Sequence, residues 1–569
     1  MFYRIFTALC AAWMISSAAW GAVPRGQVLG ELMQVLDLPF TTGRTFGDVN
    51  EDTPYGEAID SALSLGILYP ADDFSPEIDC SNAEALMFAF QAMGFRHEAE
   101  IMRWARPPVD TRLPDYIAGY VAMASAVKPE APSELVNSPW SGVSEDGLVQ
   151  LINWADRCRR YVEIDCSISS PEGTLRIHRE HVGRPPRGWR VQLGMFDDED
   201  AALALAHKKS TEACPLVVNP VDFSFAVVSH PYTARSAAWA VAQRLKGKGV
   251  KPIVLPDSGD SGALFWASFT PARPGDTVLR MSKDLTGNTL SRLSKMAEAS
   301  GAFAAINGGY FGSSGAIGTL FSEGLPVNLP YHNRSMAAWN DDEMYFGGGE
   351  YRTRLSVNGG APFTVLLNLT ADYGETAVLT PALGRSERRA GNNGTIARVY
   401  DGLIQEAVPA LKFHSDMGPG EWIIVTRDPE LELQAGDRAD LVTQWREDVP
   451  IEVQTAVQAG PLLYAPGKTR VSEGLSPALI RMRHPRTLMG WTGSEMVWIV
   501  VDGRSSWHSR GLTLDEATAF GRRLGLKALL NLDGGGSSEL WWNGHVVNRV
   551  SDGHERAMPY GLMVLKHEE

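Results

Sequence analysis

The stretch Asn531-Leu-Asp-Gly-Gly-Gly-Ser-Ser538 decides how this chain is interpreted. The apolar residues 528–530 lead into it, as a buried strand would. Three successive glycines lose more chain entropy on folding than other residues, so they indicate a sharp bend or a backbone that lies against a ligand. Asp533 and the two serines add a carboxylate and hydroxyls within a few residues. The stretch therefore predicts a pocket for a sugar, a phosphate or both.

Two other apolar segments end in the same way. Residues 302–306 lead into Asn307-Gly-Gly-Tyr-Phe311, and residues 497–501 lead into Asp502-Gly-Arg-Ser-Ser506. Asn and Asp beside glycine are also ordinary turn formers, so one such turn alone carries little weight. Three turns of one design favour strand ends that meet in a single cleft.

The length, composition and net charge of the chain exclude several classes of protein. A chain of 569 residues holds more than one domain, and with 44% hydrophobic residues it needs no metal to supply its core. A net charge of -15 argues against a nonspecific nucleic-acid binder. We find no GxxxxGK[ST] loop, HExxH helix, GxSxG elbow or EF-hand loop. We therefore expect no cofactor and no dedicated metal site, although a loosely bound divalent cation remains compatible with the sequence.

The N-terminus is typical of an export signal. Arg4 supplies a positive charge, residues 5–17 are apolar, and Ala19-Trp-Gly21 offers small residues for cleavage. A membrane anchor is the alternative, but the apolar stretch is short for a spanning helix. Since no later segment is long and apolar enough to span a bilayer, we expect no integral membrane span.

The cysteines fit an exported protein. Cys10 leaves with the signal, and Cys80, Cys158, Cys166 and Cys214 remain, an even number that permits two bridges. Cys158 and Cys166 are the expected pair, and the absence of a CxxC spacing argues against a cysteine zinc site.

We expect a multidomain α+β fold. The predicted units are a signal peptide at 1–21, a helical region at 22–166, a linker at 167–186, a βαββαβ domain at 187–257, a linker at 258–262 and a large mixed α/β catalytic domain at 263–566. Ser81 with Glu84, and Thr513 with Glu516, predict capping boxes at two helix starts.

Two N-terminal segments resemble known modules. Phe46-Gly-Asp-Val49 and the residues that follow it up to Glu84 resemble an S-layer homology repeat, which in that family attaches proteins to cell-wall polymers. Asn82 stands where that family has arginine, and a helical packing module is the alternative. Residues 187–257, with Val191-Gln-Leu-Gly-Met-Phe196, resemble a SPOR domain, a family that binds peptidoglycan glycan strands without stem peptides. A small ferredoxin-like packing domain is the alternative there.

The C-terminal motifs resemble the phosphodiester glycosidase family. In chain order they are Asn307-Gly-Gly-Tyr-Phe311, Arg486-Thr487, Val501-Asp-Gly-Arg504 with Gly511, Asn531 to Ser538, Val547-Asn548, Ser551-Asp552 and Glu555-Arg556. The best-known member removes N-acetylglucosamine from a sugar-phosphate diester. The resemblance therefore implies hydrolysis of a glycosyl-1-phosphate diester.

A phosphate diester is a good leaving group, so a carboxylate near the anomeric carbon and cations near the phosphate would serve this reaction. We assign the carboxylate role to Asp533, with Asp502 as the second carboxylate or a positioning group. Arg486, Arg504 and Arg556 are expected to hold phosphate, because a guanidinium binds it in two places. The remaining substrate-binding candidates are Asn307, Gly308, Gly309, Asn531, Gly534, Gly535, Gly536 and Ser537.

The sequence thus predicts an exported hydrolase in the periplasm or at the surface of a bacterium. Its expected partners are a glycosyl-phosphate diester as substrate and peptidoglycan or another cell-wall glycan. One alternative is a non-catalytic envelope protein that binds sugar phosphate or peptidoglycan glycan. Another is a structural anchoring protein, which the polar strand ends disfavour.

Overall fold

We describe the protein from a computed structural model. The structure describes residues 22–40, 46–105, 113–182, 188–196, 198–212, 214–221, 224–232, 235–246, 250, 252–256, 262–286, 288–312, 315–331, 334–368, 371–380, 394–410, 417–418, 420–446, 449–469, 473–505 and 507–566. The predicted signal peptide at 1–21 lies outside the described residues, as does most of the predicted linker at 258–262.

The helices concentrate in the N-terminal part. In chain order they are α1 (Arg25–Val35), α2 (Gly56–Ser64), α3 (Asn82–Ala92), α4 (Arg96–Ala105), α5 (Asp115–Ala124), α6 (Ser133–Asn137), α7 (Glu145–Arg160), α8 (Glu199–Lys209), α9 (Arg235–Lys246), α10 (Ser282–Thr286), α11 (Leu293–Ala299), α12 (Pro477–Arg481) and α13 (Leu514–Arg523). Both predicted capping boxes are confirmed, since Ser81 caps α3 and Thr513 caps α13. Such caps stabilise a helix by about 1 kcal/mol. Among the described residues, no helix is both long and apolar enough to cross a bilayer.

The strands dominate the rest of the chain. They are β1 (Val127–Lys128), β2 (Glu163–Ser170), β3 (Gly173–Glu180), β4 (Trp189–Phe196), β5 (Leu216–Val221), β6 (Ser224–Ser229), β7 (Ile253–Pro256), β8 (Leu264–Pro271), β9 (Thr277–Met281), β10 (Ala302–Asn307), β11 (Phe311–Gly312), β12 (Gly315–Ala316), β13 (Leu320–Ser322), β14 (Leu325–Asn328), β15 (Ser335–Trp339), β16 (Met344–Gly348), β17 (Tyr351–Val357), β18 (Phe363–Thr364), β19 (Leu366–Leu367), β20 (Thr376–Leu379), β21 (Thr395–Tyr400), β22 (Leu403–Pro409), β23 (Glu421–Thr426), β24 (Ala439–Trp445), β25 (Thr455–Gln458), β26 (Leu462–Ala465), β27 (Lys468–Thr469), β28 (Arg486–Trp491), β29 (Met496–Val501), β30 (Ala528–Asn531), β31 (Leu540–Trp542), β32 (His545–Val546) and β33 (Tyr560–Leu565).

Two antiparallel sheets form the centre of the C-terminal part. The larger has nine strands in the order β1-β2-β3-β8-β29-β28-β30-β26-β27, and the smaller has five in the order β32-β31-β10-β33-β9. Apolar side chains from both sheets share one core, in which Trp498 packs with Phe303 and Leu562. Helix α13 covers the other face of the large sheet through Phe520 and Leu514. The strand ends of the two sheets are therefore brought to one edge of a shared core.

Among the described residues, four further sheets extend this unit. Their orders are β11-β12, β14-β13-β25-β15-β16, β18-β17-β24 and β19-β20-β23-β21-β22. The fold is thus a multidomain mixture of helices and sheets in which sheet predominates. The C-terminal unit was predicted to be mixed α/β, and in the structure it consists mainly of strands with few helices.

A separate four-stranded sheet is inserted between two neighbouring strands of the large sheet. Its elements follow in the order β4, α8, β5, β6, α9, β7, and its strand order is β5-β6-β4-β7. Its first and last strands pair, with Trp189 opposite Pro256. The strands β3 and β8 that flank the insertion also pair, with Glu180 opposite Leu264. The inserted sheet therefore leaves the larger sheet uninterrupted.

The structure corrects the predicted linker at 167–186. Residues 163–170 and 173–180 form a hairpin that joins the large sheet through β8. The reason is an alternation of apolar residues, Ile164 and Cys166 on one strand and Leu175 and Ile177 on the other, which face the cores. The polar residues between them face outward.

The predicted bridge between Cys158 and Cys166 is also wrong. No disulfide joins Cys80, Cys158, Cys166 and Cys214, the cysteines of the described residues, and all four are buried. They act as small apolar side chains in the cores.

A buried ionic network joins the helical region to the large sheet. Arg179 of β3 donates to Glu98 of α4 at 2.6 Å and to His508 Nδ1 at 3.0 Å, and it also reaches the carbonyl oxygen of Trp507 at 2.6 Å. Neither Arg179 nor Glu98 is exposed. Burial alone would raise the pKa of Glu98, but Arg179 and His508 hold it well below its ordinary value. The two parts of the chain are therefore locked together by charge as well as by packing.

We predict that Arg179→Met destabilises the protein strongly. The change leaves the Glu98 carboxylate buried without its cation, which costs about 3–5 kcal/mol. The measurement is the urea midpoint of unfolding followed by tryptophan fluorescence. The matched control is Arg438→Met, which removes an exposed pair with Asp440 and should leave the midpoint nearly unchanged. Equal midpoints for the two variants would contradict this account.

Candidate active site

Asn307 connects the two central sheets at their shared edge. Its side-chain Nδ2 donates to the carbonyl oxygen of Asp533 at 2.8 Å, and its Oδ1 accepts from Thr487 Oγ1 at 2.8 Å. The Glu539 backbone N–H donates to the same Oδ1 at 3.1 Å. Asn307 is almost fully buried. Asn307 therefore positions the triple-glycine turn. Its side-chain amide uses all of its hydrogen-bond donors and acceptors within the protein, so none is left for a substrate.

The triple-glycine turn is a short 3-10 segment, Gly535–Ser537, that follows β30. A side chain at Gly536 would meet Asp552 Oδ2 at 2.0 Å and Arg556 Nη2 at 2.3 Å. A side chain at Gly308 would meet the ring of Tyr560 at 2.1 Å. These glycines are required because other chain segments approach the backbone closely. The sequence predicted a sharp bend or a backbone that lies against a ligand; in the structure, side chains of the protein itself lie against this backbone.

Asp533 directly precedes the three glycines of the turn, and the residue is partly exposed. Burial raises the pKa of Asp533 to about 6, although a hydrogen bond with Ser537 and the charge of Arg556 oppose the rise. The carboxyl group is thus mostly ionised at neutral pH while its basicity is increased. A carboxylate of this kind is suited to act as a nucleophile or a general base.

Two of the predicted arginines lie beside the turn. Arg556 Nη1 donates to Ser537 Oγ at 3.1 Å, and its Nη2 donates to Asp552 at 2.6 Å. Arg504 donates to Ser551 Oγ at 3.1 Å and lies 3.6 Å from Asp552. Asp552 therefore orients two guanidinium groups next to the glycine backbone. The arrangement concentrates positive charge where an anionic ligand would approach the turn.

Asp502 is placed differently from Asp533. It is 1% exposed, and its carboxylate accepts from His508 Nε2 at 2.7 Å, from Asn548 Nδ2 at 2.9 Å and from the Arg549 backbone N–H at 2.8 Å. All of these donors belong to the protein. Asp502 is adjacent to the turn through Asn548, which also donates to the Ser538 carbonyl oxygen at 3.0 Å.

Arg486 is likewise occupied by the protein. It is 3% exposed, and its guanidinium donates to the carbonyl oxygens of Leu512, Leu479 and Met482 at 2.8, 2.7 and 3.1 Å. Burial lowers the pKa of Arg486 to about 10. The expected phosphate contact is not supported by this position. Asn531 is also buried, and its Nδ2 donates to the carbonyl oxygens of Gly460 and Leu532.

A small aromatic pocket that the sequence did not predict is lined by Tyr310, whose hydroxyl accepts a hydrogen bond from Asn531 at 3.2 Å. Its volume is about 110 Å³, and Tyr310, Tyr331 and Arg334 line it. Arg334 stands over the Tyr310 ring at 4.9 Å, while Tyr310 OH donates to Gly460 at 2.7 Å. Burial, followed by the charge of Asp533, raises the pKa of Tyr310 to about 12. The Tyr310 ring of this pocket is therefore within electrostatic range of both Asp533 and Arg334.

Glu539, Glu555 and His508 lie in or beside the sequence motifs, but the sequence assigned them no role. Glu539 is fully buried, and burial together with Glu555 raises the pKa of Glu539 to about 10, so it is uncharged at neutral pH. Glu555 accepts from Ser294 Oγ at 2.8 Å and is the neighbour of Arg556. His508 carries the link between Asp502 and Arg179. The local signals were the spacing of His508 six residues after Asp502 and the position of Glu539 directly after Ser538.

Two family models match the chain. Residues 419–565 match the phosphodiester glycosidase model, and residues 185–256 match the SPOR domain model. The first match contains Asp502, Asp533 and the three arginines of the site, whereas Asn307 lies before it. The S-layer homology resemblance, and the extension of the glycosidase resemblance to residue 263, stay predictions.

The relatives found by sequence and structure are remote. An uncharacterized prophage-derived protein of Bacillus subtilis, YomE, is 35% identical over 100 residues, which span 17% of this chain and 15% of that protein. A candidate exported protein of Burkholderia pseudomallei has a TM-score of 0.49 at 17% identity, over 71% of this chain and 96% of that one. The catalytic domain of zebrafish N-acetylglucosamine-1-phosphodiester alpha-N-acetylglucosaminidase, auto-inhibited by its pro-peptide, has a TM-score of 0.27 at 12% identity, over 67% and 89%.

We predict that Asp533 titrates near pH 6 and that Arg556→Gln raises its pKa further, because the variant removes a cation that favours the ionised form. The measurement is the carboxyl carbon-13 shift as a function of pH, assigned by its loss in Asp533→Asn. Arg438→Gln, on the exposed surface, is the matched control and should leave the titration unchanged. An Asp533 titration at its ordinary value, or one that Arg556→Gln leaves in place, would overturn the assignment.

Proposed function

We propose, for a chain that carries a phosphodiester glycosidase domain and a SPOR domain, that it is an exported cell-envelope hydrolase of sugar-1-phosphate diesters. The observation that carries this proposal is the placement of Asp533. It is a partly exposed carboxylate with a raised pKa, and it lies beside Arg556 at the triple-glycine turn. A carboxylate for the anomeric carbon and a cation for the phosphate are the two groups that such a diester requires.

In the proposed reaction Asp533 attacks the anomeric carbon or removes a proton from an attacking water. The bond between that carbon and the phosphate oxygen breaks, and its electron pair leaves with the phosphate monoester. Water supplies the hydroxyl of the released sugar. Because the departing phosphate is already a weak base, its charge needs stabilisation more than it needs a strong acid.

Arg504 and Arg556 are proposed to bind the phosphate. Both are oriented by Asp552, and the absence of side chains at Gly535 and Gly536 lets these charged groups approach the backbone closely. A side chain at Gly535 would lie 3.0 Å from Arg504 Nη2, so the bare backbone faces this guanidinium. Ser537 is proposed to position Asp533 and Arg556, since it interacts with both.

Asp502 and Arg486 are proposed as positioning residues. The carboxylate of Asp502 is surrounded by donors from its own chain, and Arg486 is held by three backbone carbonyl oxygens. Each forms hydrogen bonds to a second segment of the site: Asp502 to Asn548 and Arg549, and Arg486 to Leu512. Asn307 and Asn531 are proposed to act in the same way, so the substrate contacts fall to Asp533, Arg504, Arg556 and the glycine backbone.

The inserted four-stranded sheet is proposed to bind peptidoglycan glycan strands. The support is the match to the SPOR model over residues 185–256 together with its order of elements. Binding there would hold the hydrolase in the periplasm or at the cell surface. The substrate is then proposed to be a sugar joined through phosphate to an envelope polymer.

A non-catalytic protein that binds sugar phosphate is the second candidate. The interactions of Asp502 and Arg486 with their own chain are the observation that favours it, because the hydrogen bonds of these two predicted site residues go to the protein itself. Hydrolysis distinguishes the two candidates directly.

We predict that the protein converts an N-acetylglucosamine-1-phosphate methyl diester to methyl phosphate and that Asp533→Asn lowers kcat by at least about 100-fold. The reaction is followed by phosphorus-31 NMR in water enriched in oxygen-18. Cleavage at the carbon–oxygen bond leaves the phosphate unlabelled, whereas attack at phosphorus labels it. Wild-type activity should fall below about pH 6, where Asp533 becomes protonated.

Controls separate chemistry from folding. Asp341→Asn, an exposed carboxylate, should retain full turnover. Arg504→Ala should raise KM more than about tenfold if it binds phosphate in the ground state. Labelled phosphate would show a phosphodiesterase, and binding of the diester without turnover would favour the second candidate.

We predict that excision of residues 183–261 abolishes binding to peptidoglycan from which stem peptides have been removed, while hydrolysis of the soluble diester stays within about twofold. The excision is tolerated because Glu180 already pairs with Leu264, so a short loop closes the hairpin. Co-sedimentation with the digested and the intact polymer is the measurement. Equal sedimentation of the excised and full chains would reject the proposed role of this sheet.

A further inference from the structure

One face of the β2–β3 hairpin carries a cluster that the proposed reaction does not use. Asp165 is paired with His178 across the strands, and Glu163 is paired with Glu180. Since side chains two residues apart point to the same face of a strand, all four converge. His178 lies on the face opposite to Arg179, so this cluster is separate from the network that reaches Asp502.

His178 is held in a fixed orientation at the centre of the cluster. It is 7% exposed, and its ring stacks on Trp266 with centroids 5.0 Å apart and an angle of 20° between the planes. Its Nδ1 atom makes no hydrogen bond. The atom instead faces Asp165 Oδ2 at 3.7 Å and Glu163 Oε1 at 3.9 Å. A buried polar atom without a hydrogen bond is costly, so it calls for a further group.

The other ring nitrogen has the partner that a metal-binding histidine usually has. His178 Nε2 lies 3.6 Å from Glu180 Oε2. Histidines that bind metals through one nitrogen commonly direct the other to a carboxylate, which sets the tautomer. A second contact orients Glu163. Tyr161 OH donates to its Oε2 at 2.8 Å, and its Oε1 faces His178.

The net charge around the cluster is negative and therefore favours a bound cation. Arg176 donates to both oxygens of Asp165, at 2.8 and 2.6 Å, and Arg523 lies 3.5 Å from Glu180. Three carboxylates and two guanidinium groups leave one negative charge when His178 is neutral. A carboxylate oxygen that accepts from arginine retains a second lone pair. Asp165 can therefore bind Arg176 and a metal ion together.

We propose that Glu163, Asp165 and His178 bind one divalent transition-metal ion of the Zn²⁺ type. Their ligand atoms all lie within 4.8 Å of one another, a spacing that small movements close around an ion with ligand distances of about 2.0–2.2 Å. One imidazole nitrogen with two carboxylate oxygens favours such an ion over Ca²⁺, which takes oxygen ligands. The ion would clamp the hairpin whose β3 strand carries Arg179.

A second group of similar composition is unsuitable. His97, Asp502 and His508 also lie within reach of one another. However, His97 Nε2 is 2.9 Å from the Val547 carbonyl oxygen, Asp502 accepts three hydrogen bonds, and both nitrogens of His508 have partners. A metal there would have to displace contacts that join the two parts of the chain.

The test is Zn²⁺ binding by the full chain after treatment with EDTA and exhaustive dialysis. We expect calorimetry to show one site that His178→Ala weakens at least about 100-fold. The matched control is His207→Ala, an exposed histidine on α8, which should retain the site. Glu163→Gln keeps the imidazole and should weaken binding about tenfold or more, so it tests the ligand set if His178→Ala fails to fold.

Two further measurements decide the identity of the ligands. Co²⁺ substitution should give visible d–d absorption bands that disappear in His178→Ala, and Ca²⁺ should not compete at equal concentration. Zn²⁺ binding that is unchanged in both His178→Ala and Glu163→Gln would overturn the proposal. So would a site that prefers Ca²⁺ to Zn²⁺. Neither result depends on whether the protein hydrolyses a diester.

Discussion

The buried chain of contacts from Glu98 through Arg179 and His508 to Asp502 is the constraint on which the architecture depends. It begins on a helix of the N-terminal region, passes through β3, and ends at a strand terminus beside the triple-glycine turn. A buried charged group that loses its partner destabilises the folded state strongly. Each member therefore requires the others, and the helical region cannot move away without exposing or stranding a charge near the site.

Packing reinforces this constraint at the same place. Trp507 inserts into the helical core, and a side chain at Gly94 would meet its indole at 2.1 Å. The loop that carries Arg504 and His508 is thus held both by the Arg179 network and by the packing of Trp507. Near the same site, Arg486 donates to the carbonyl oxygen of Met482, and Met482 packs against the inserted sheet. Glu98, Arg179 and Trp507 therefore couple the helical region to the loops of the candidate site, whereas the inserted sheet lies against these loops through Met482.

Much of the local structure was predictable because its causes are local. The helix start at Thr513, the strands that precede Asn307, Asp502 and Asp533, and the glycine turn all follow from patterns within a few residues. What could not be predicted was that β10 lies in a different sheet from β29 and β30, so Asn307 reaches the turn from across the core. Residues 167–180 of the β2–β3 hairpin were predicted to be part of a linker, because their polar residues conceal an alternating apolar face.

The sequence by itself determined which residue types stand at the strand ends, the net acidity of the chain and the two segments that match known families. Only the tertiary structure decided how those residues are used. Asp533 has a raised pKa and is partly exposed, whereas Asp502 and Arg486 donate to or accept from groups of their own chain. The physical reason is that burial and hydrogen-bond saturation depend on neighbours hundreds of residues away. A motif specifies a functional group, but the fold determines whether that group remains available to a ligand.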